Sequence, residues 1–162
     1  MFSFKKKTYL RLILYICLIS IISAYFIEYV LGYQPCNLCL IERIPYGLGV
    51  ILLIVTFFSD KNEKFIVLLL ILIFSFSSII SIYHFGIEQG FFQESSICGL
   101  KNSAEIISKE ELLKQLQEKM ISCKDVTFKI FGFSLTSINI IISLFITILL
   151  IKIFISYEKK KY

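Results

Sequence analysis

Apolar residues gather into four long runs along the chain, at approximately 12–31, 44–58, 65–85 and 130–154, separated by polar, charged or glycine-bearing breaks. About 30 Å of hydrocarbon takes roughly 20 helical residues, which the first, third and fourth runs supply unaided. The second is shorter and recruits Leu40 and Ile41, extending it to 40–58. Backbone groups in lipid must find their partners within the segment, so runs of this length predict helices rather than strands. The expected fold is all-α: a four-helix transmembrane bundle forming a single membrane domain over residues 1–162, with outer loops at 32–43 and 86–129.

Lys5, Lys6, Lys7 and Arg11 precede or open the first run, and Ile22-Ser23-Ala24 faintly resembles a cleavage site. The run is longer than the 7–15 apolar residues of a secretory signal, so it reads as a retained anchor. Within the last loop, Ser103 to Met120 has a helical pattern. Ile106, Leu112, Leu113, Leu116 and Met120 share much of one face, and Glu110 and Lys114 stand four apart on another. Such a helix serves equally as a lid on the membrane surface or as a spacer packed on the bundle.

Composition agrees with a lipid environment: 57% of the 162 residues are hydrophobic, against roughly 45–50% in soluble domains. The net charge of +5 would suggest nucleic acid if it formed a surface patch, but the basic residues border the apolar runs. No nucleic-acid partner is expected. Lys61 and Lys64 in the second connection, Lys159, Lys160 and Lys161 at the tail and the N-terminal cluster fall on one side after four crossings. By the positive-inside rule that side is cytoplasmic, with both termini. The connection over 86–129 is mixed instead, with Lys101, Lys109, Lys114, Lys119, Lys124 and Lys129 offset by seven acidic residues.

Four of the five cysteines lie in the two outward connections, where disulfides persist: Cys36 and Cys39 in one, Cys98 and Cys123 in the other. Cys36-Asn37-Leu38-Cys39 has the C-x-x-C spacing, and a small ring near a helix N-terminus lowers a thiol's pKa. Arg43 stands four residues beyond Cys39, so a helical turn carries its guanidinium toward that sulfur. Dipole and cation both favour thiolate. Pro45 is placed in the first turn, where no intrahelical donor is required. Structural readings stay open for each feature: either cysteine pair serves as a loop staple, and Arg43 serves as a flank anchor. A zinc or iron–sulfur site wants four thiolate or imidazole ligands, and His84 is the single histidine, so no metal is expected. Cys17 reads as a small apolar residue of the first run.

The segment Gln34-Pro35-Cys36-Asn37-Leu38-Cys39-Leu40-Ile41-Glu42-Arg43 resembles the DsbB family of bacterial quinone-linked disulfide-forming proteins. So do Tyr83-His84-Phe85-Gly86-Ile87-Glu88, Cys123-Lys124-Asp125-Val126 and Phe131-Gly132-Phe133-Ser134-Leu135, in family order. The resemblance covers nearly all of the chain. It implies an inner-membrane protein whose two cysteine-bearing loops are periplasmic. It also implies a quinone-dependent thiol oxidoreductase that reoxidises a DsbA-like periplasmic thiol oxidase and passes the electrons to ubiquinone or menaquinone.

Residue by residue, Cys36 and Cys39 match the pair that reduces quinone, and Cys39 the member whose thiolate meets the ring. Arg43 matches the quinone-site arginine, with Glu42 beside it, and His84 lies where the family often has a histidine near that site. Cys98 and Cys123 match the second pair, with Cys98 the attachment point for the partner. Two features depart from the pattern: the chain has no Trp, and the insert at Ser103–Met120 resembles only some members. Competing functions are a non-catalytic membrane subunit with two structural disulfides, and a relative dedicated to one client.

Overall fold

The computed structural model describes residues 2–58, 62–93, 98, 122–124, 129, 130 and 132–158. Among them are four long helices, α1 (Phe2–Tyr29), α2 (Asn37–Phe58), α3 (Glu63–Glu88) and α4 (Leu135–Glu158). Each contains a stretch long and apolar enough to cross a membrane. Consecutive helices pack against each other where short connections join them, and α4 closes the bundle on α3 and α1.

Several boundaries differ from the hydrophobic pattern: α1 starts at Phe2 and α3 runs on to Glu88, beyond the apolar runs at 12–31 and 65–85, and two helix starts shift as well. The fourth helix starts at Leu135 rather than near Ile130, because Lys129–Ile130 (β1) and Phe133–Ser134 (β2) pair antiparallel across a turn at Gly132, whose φ is +86°. Apolar residues in a tight hairpin look the same by hydropathy as the first turn of a span. The second helix starts at Asn37, ahead of Leu40, so Pro45 stands inside the helix and not in its first turn. It lacks the N–H that would reach back to the preceding turn, a break the helix absorbs with Pro45 buried against its neighbours. The insert at Ser103–Met120 lies outside the described residues.

Small residues let the helices approach. Ser77, Ser78 and Ser81 of α3 are buried along its length, and Ser78 Oγ lies 3.1 Å from Ser143 Oγ of α4 while also donating to the Phe74 carbonyl at 2.9 Å. Hydroxyls satisfied within or between helices are compatible with lipid, and their small size permits close packing. Gly49 of α2 does the same at another junction: a Cβ there would lie 3.1 Å from the Phe74 ring and 3.6 Å from Cys17 Sγ. Leu10, Ile13, Cys17, Leu53, Leu70, Phe74, Ile146 and Leu150 form the buried centre. Cys17 is a core residue, as its setting in an apolar run implied. Ile22, Ile51, Phe65, Phe76, Ile79 and Ile141 face outward and exposed, an arrangement stable in lipid and not in water.

The two ends of the bundle differ in chemistry. At one end Lys6 Nζ lies 3.3 Å from the centroid of the Tyr157 ring, and Lys64 Nζ 5.4 Å from that of Phe154. At the other, the end of α1, the start of α2, the end of α3 and the start of α4 converge, and all four loop cysteines belong to this end.

Candidate functional site

The site begins with a helix cap. After α1 the chain turns through Gly32, whose φ of +77° suits glycine, and reaches Pro35 and Cys36 just ahead of α2. Leu40 N donates to the Cys36 carbonyl at 3.2 Å, and Cys39 N donates to Cys36 Sγ at 3.3 Å. Cys36 thus occupies the position where Ser or Asp commonly caps, its sulfur accepting from the first-turn backbone at the positive end of the helix dipole. Cys39, one turn on, brings its Sγ to 2.7 Å from that of Cys36. The C-x-x-C spacing is what allows both contacts.

His84 approaches from α3, with Nε2 3.5 Å from Cys36 Sγ. Its Nδ1 lies 3.0 Å from Glu42 Oε1, so Nδ1 carries the hydrogen and donates it to the carboxylate, leaving Nε2 to face the thiol. Thr136 of α4 contacts the same Nδ1 at 3.3 Å and donates to Glu88 Oε1. Asn139, one turn further along α4, donates to Glu42 Oε2 at 3.0 Å and to Ser81 Oγ at 2.8 Å, and accepts from Tyr46 OH. Three helices therefore hold one buried polar network around a histidine that is 1% exposed. Cys36 feels the sum of it: the Cys39 thiol foremost, and then His84, outweigh burial and hold its thiol down from 9.0 to about 4.

Arg43 differs from expectation in direction. Its described partners are on α1, an ion pair with Glu28 and the face of Tyr25 at 5.1 Å, rather than the Cys39 sulfur. The guanidinium and its carboxylate partner are both largely covered, so the pair also fastens α1 to α2.

The second cysteine pair lies close by. Cys98 and Cys123 are joined by a disulfide with Cα atoms 5.3 Å apart. They pack with Cys36, Leu38 and Ile87 in one buried apolar cluster, flanked by Cys39, Ile41 and Ile80. Gly86 helps aim the chain toward this cluster: its carbonyl accepts from Phe91 N and Phe92 N, and the Phe92 ring lies over the space a Cβ would fill.

Against the network lies a cavity of about 320 Å³, within the usual range for small-molecule sites. Ile19 and Ile27 of α1, Pro35, and Leu135 and Ile142 of α4 make apolar walls, while Cys36, Cys39, Glu42, Arg43, His84, Glu88 and Cys123 supply the chemistry. Six of the seven site residues expected from the sequence thus line one space, and the seventh, Cys98, is bonded to one of them. Sulfurs of Cys36 and Cys39 and a nitrogen of His84 lie within 4.8 Å of one another, donors suited to a soft cation only while both thiols are reduced.

A family model described as "Disulfide bond formation protein DsbB" matches residues 6–153. The chain belongs to the DsbB family. It is also 31% identical over 151 residues to the uncharacterized protein RP370 of Rickettsia prowazekii (strain Madrid E), covering 90% of this chain and 88% of that one. No solved structure matches it. Membership in the DsbB family implies thiol oxidoreductase activity, in a protein with four helices long and apolar enough to cross a membrane.

Glu88, Thr136, Asn139, Tyr46 and Glu28 were not singled out as site residues from the sequence. For Asn139 a signal existed: an amide inside a membrane span is costly unless it has a task.

Proposed function

We propose that the protein reoxidises a soluble periplasmic DsbA-like thiol oxidase and passes the electrons, through Cys98–Cys123 and then Cys36–Cys39, to a membrane quinone. The observation that carries this reading is the sharing of one apolar cluster and one cavity by both cysteine pairs, next to a thiol held as thiolate. A loop brace needs none of the buried His84, Glu42 and Glu88 beside it, and each would be costly there without a task.

The residues fit a quinone. The cavity is apolar enough for a ring and the start of a hydrocarbon tail, and Arg43, His84 and Glu88 stand at its polar side. Glu88 Oε2, fully buried, has no hydrogen-bond partner among the described residues, so a ligand has an orphaned group to meet. When bound, the quinone takes up two electrons and two protons.

The chain's own residues do the rest by thiol–disulfide exchange. A thiolate of the partner attacks Cys98 Sγ, the Cys98–Cys123 bond breaks, and Cys123 leaves as thiolate. Cys123 lines the cavity that also exposes Cys36 and Cys39, so its attack on the inner disulfide requires little travel. The partner's second thiol then resolves the mixed disulfide and frees Cys98, which attacks Cys123 in its bond to the inner pair; the Cys98–Cys123 bond re-forms, and the electron pair rests on Cys36 and Cys39. Cys39 faces the cavity as the sulfur that meets the ring, His84 and Cys39 N–H hold charge on Cys36, and Arg43 sets positive charge at the cavity wall. Purified protein given reduced partner and quinone should consume quinone absorbance stoichiometrically with partner thiols. Oxidation of the partner without loss of quinone would overturn the proposed acceptor.

A further inference from the structure

Glu42 and Glu88 flank the same imidazole and differ in one respect that separates their tasks. Both oxygens of Glu42 are engaged, Oε1 by His84 Nδ1 and Oε2 by Asn139 Nδ2. Glu88 has one oxygen engaged, by the Thr136 hydroxyl, and Oε2 has no partner among the described residues although the side chain is 6% exposed. Two carboxylates in unlike surroundings take unlike roles. Glu42 orients.

His84 Nε2 stands between a sulfur and the second carboxylate, 3.5 Å from Cys36 Sγ and 3.9 Å from Glu88 Oε1. A proton taken from Cys36 therefore rests on the nitrogen nearest Glu88, and Glu88 lines the cavity. We propose that Glu88 is the proton carrier between His84 and the quinone, its unpartnered oxygen being the atom that meets the ring oxygen. This deepens the quinone reading above and rests on it.

The step balances. The reduced pair holds two protons, one on His84 taken from Cys36 and one on the Cys39 thiol. As the Cys36–Cys39 bond forms, two electrons pass to the quinone. The His84 proton moves by way of Glu88 to one ring oxygen, and the Cys39 proton leaves from a group that itself lines the cavity. The products are a disulfide, a neutral imidazole and hydroquinone. The titratable and charged groups around His84 and this path are Cys36, Cys39, Glu42 and Arg43 at the α2 end, the last paired with Glu28 of α1, and Glu88 on α3 itself; α4 contributes the neutral Thr136 and Asn139.

A carboxylate can only accept, so it favours hydroquinone, which donates, over quinone, which does not. Glu88→Gln keeps the shape, offers a donor and carries no proton. In full-length protein locked with both disulfides formed, where nothing turns over, the ratio of hydroquinone to quinone affinity should fall about tenfold or more, the scale of a charge-assisted hydrogen bond. In single turnover of the reduced protein, quinone reduction should slow by about 10²-fold. Glu88→Asp, which keeps a carboxylate, should recover part of both. An unchanged affinity ratio and rate in Glu88→Gln, or equal behaviour of Gln and Asp, would overturn the assignment. Wild-type protein that binds neither ring form would instead bring down the quinone reading itself, so the two failures are told apart.

Discussion

His84 Nε2 lies 3.5 Å from Cys36 Sγ, while its Nδ1 lies 3.0 Å from a carboxylate oxygen of Glu42. The imidazole is thereby fixed in ring orientation and tautomer by one neighbour and presented to a thiol by the geometry that results. Since Cys36 also caps α2, its sulfur meets a backbone N–H, a thiol and an imidazole together. The charge on this sulfur is a property of the fold and not of the C-x-x-C spacing alone.

Reduced protein should therefore show Cys36 alkylation that persists in mild acid. The thiol falls from 9.0 to about 4, chiefly through the Cys39 thiol and next through His84. Between those values the unfolded chain binds the extra proton, so stability of the reduced form rises with pH across this window. The contribution is complete above the unfolded value and disappears as pH falls through about 4. Iodoacetamide labelling of Cys36 against pH, read by mass spectrometry, should give a midpoint far below that of an ordinary thiol, and His84→Ala should move it upward. A midpoint near 8 or 9 in the native protein would remove the thiolate from the site.

Asn139 is the clasp of the polar network, joining Glu42, Ser81 and Tyr46 across three helices. Asn139→Leu leaves a buried carboxylate oxygen and a tyrosine hydroxyl without those partners, each worth about 1–3 kcal/mol. We expect lower thermal stability in detergent together with slower quinone reduction, because Glu42 no longer holds His84. Asn139→Asp should not restore activity, since it brings a second carboxylate against Glu42. Unchanged stability and turnover in Asn139→Leu would show that the clasp is dispensable.

The parts of this architecture that were readable in the chain are those governed by a single physical term. Lipid demands long apolar helices, and four runs supplied them; the cysteine spacing marked out two connections, and their cysteines gather at one end of the bundle. The start of α4 was hidden because Ile130 and Phe133 are as apolar in a hairpin as in a span. Hydropathy places Pro45 in a first turn because it discounts the polar Asn37, where helix α2 begins. In the site, Cys36, Cys39, Glu42 and His84 stand in motifs. Glu88 closes the same motif as His84, four residues on, but its contact to Thr136, like those of Asn139, joins helices over sequence separations that no local pattern reports. The turning of Arg43 toward Glu28 is likewise a choice between two acceptors that only packing makes.

The two outer cysteines should behave differently on substitution, although they share a disulfide. Cys98→Ser removes the expected attachment point and should yield no covalent complex with the partner. Cys123→Ser should let a complex accumulate, because the thiol that carries electrons onward to the cavity is gone. Non-reducing gels of cells expressing each variant distinguish them. Identical behaviour would favour a structural staple.

The separation of the bundle's ends bears on orientation. Lys6 and Lys64 gather near the end of α4, opposite the cysteines. With basic residues retained in the cytoplasm, both termini should lie there. A reporter active only in the periplasm should stay silent when fused after Tyr162, and activity would overturn the proposed orientation.

Arg43 offers the sharpest separation between a redox site and a braced loop. Arg43 lines the cavity, yet its described partners are Glu28 and the Tyr25 ring of α1, a placement that fits an electrostatic role toward a ligand as well as a fastening one. If it stabilises negative charge on the quinone as reduction proceeds, Arg43→Ala should slow that step by about 10²-fold or more, the scale for deleting one preorganised donor. Exchange between Cys98–Cys123 and the partner, which begins at Cys98 and does not call on Arg43, should survive. Arg43→Lys should rescue only partly, because an ammonium cannot address Glu28 and a second acceptor with a planar fork. Glu28→Gln separates the two roles: it loosens the fastening but leaves the cation in place, so it should lower thermal stability more than it lowers the rate. The measurement is turnover per folded molecule with quinone varied, alongside melting of each variant. A normal rate and normal apparent quinone affinity in Arg43→Ala, with stability reduced, would leave Arg43 as a fastening between α1 and α2 alone.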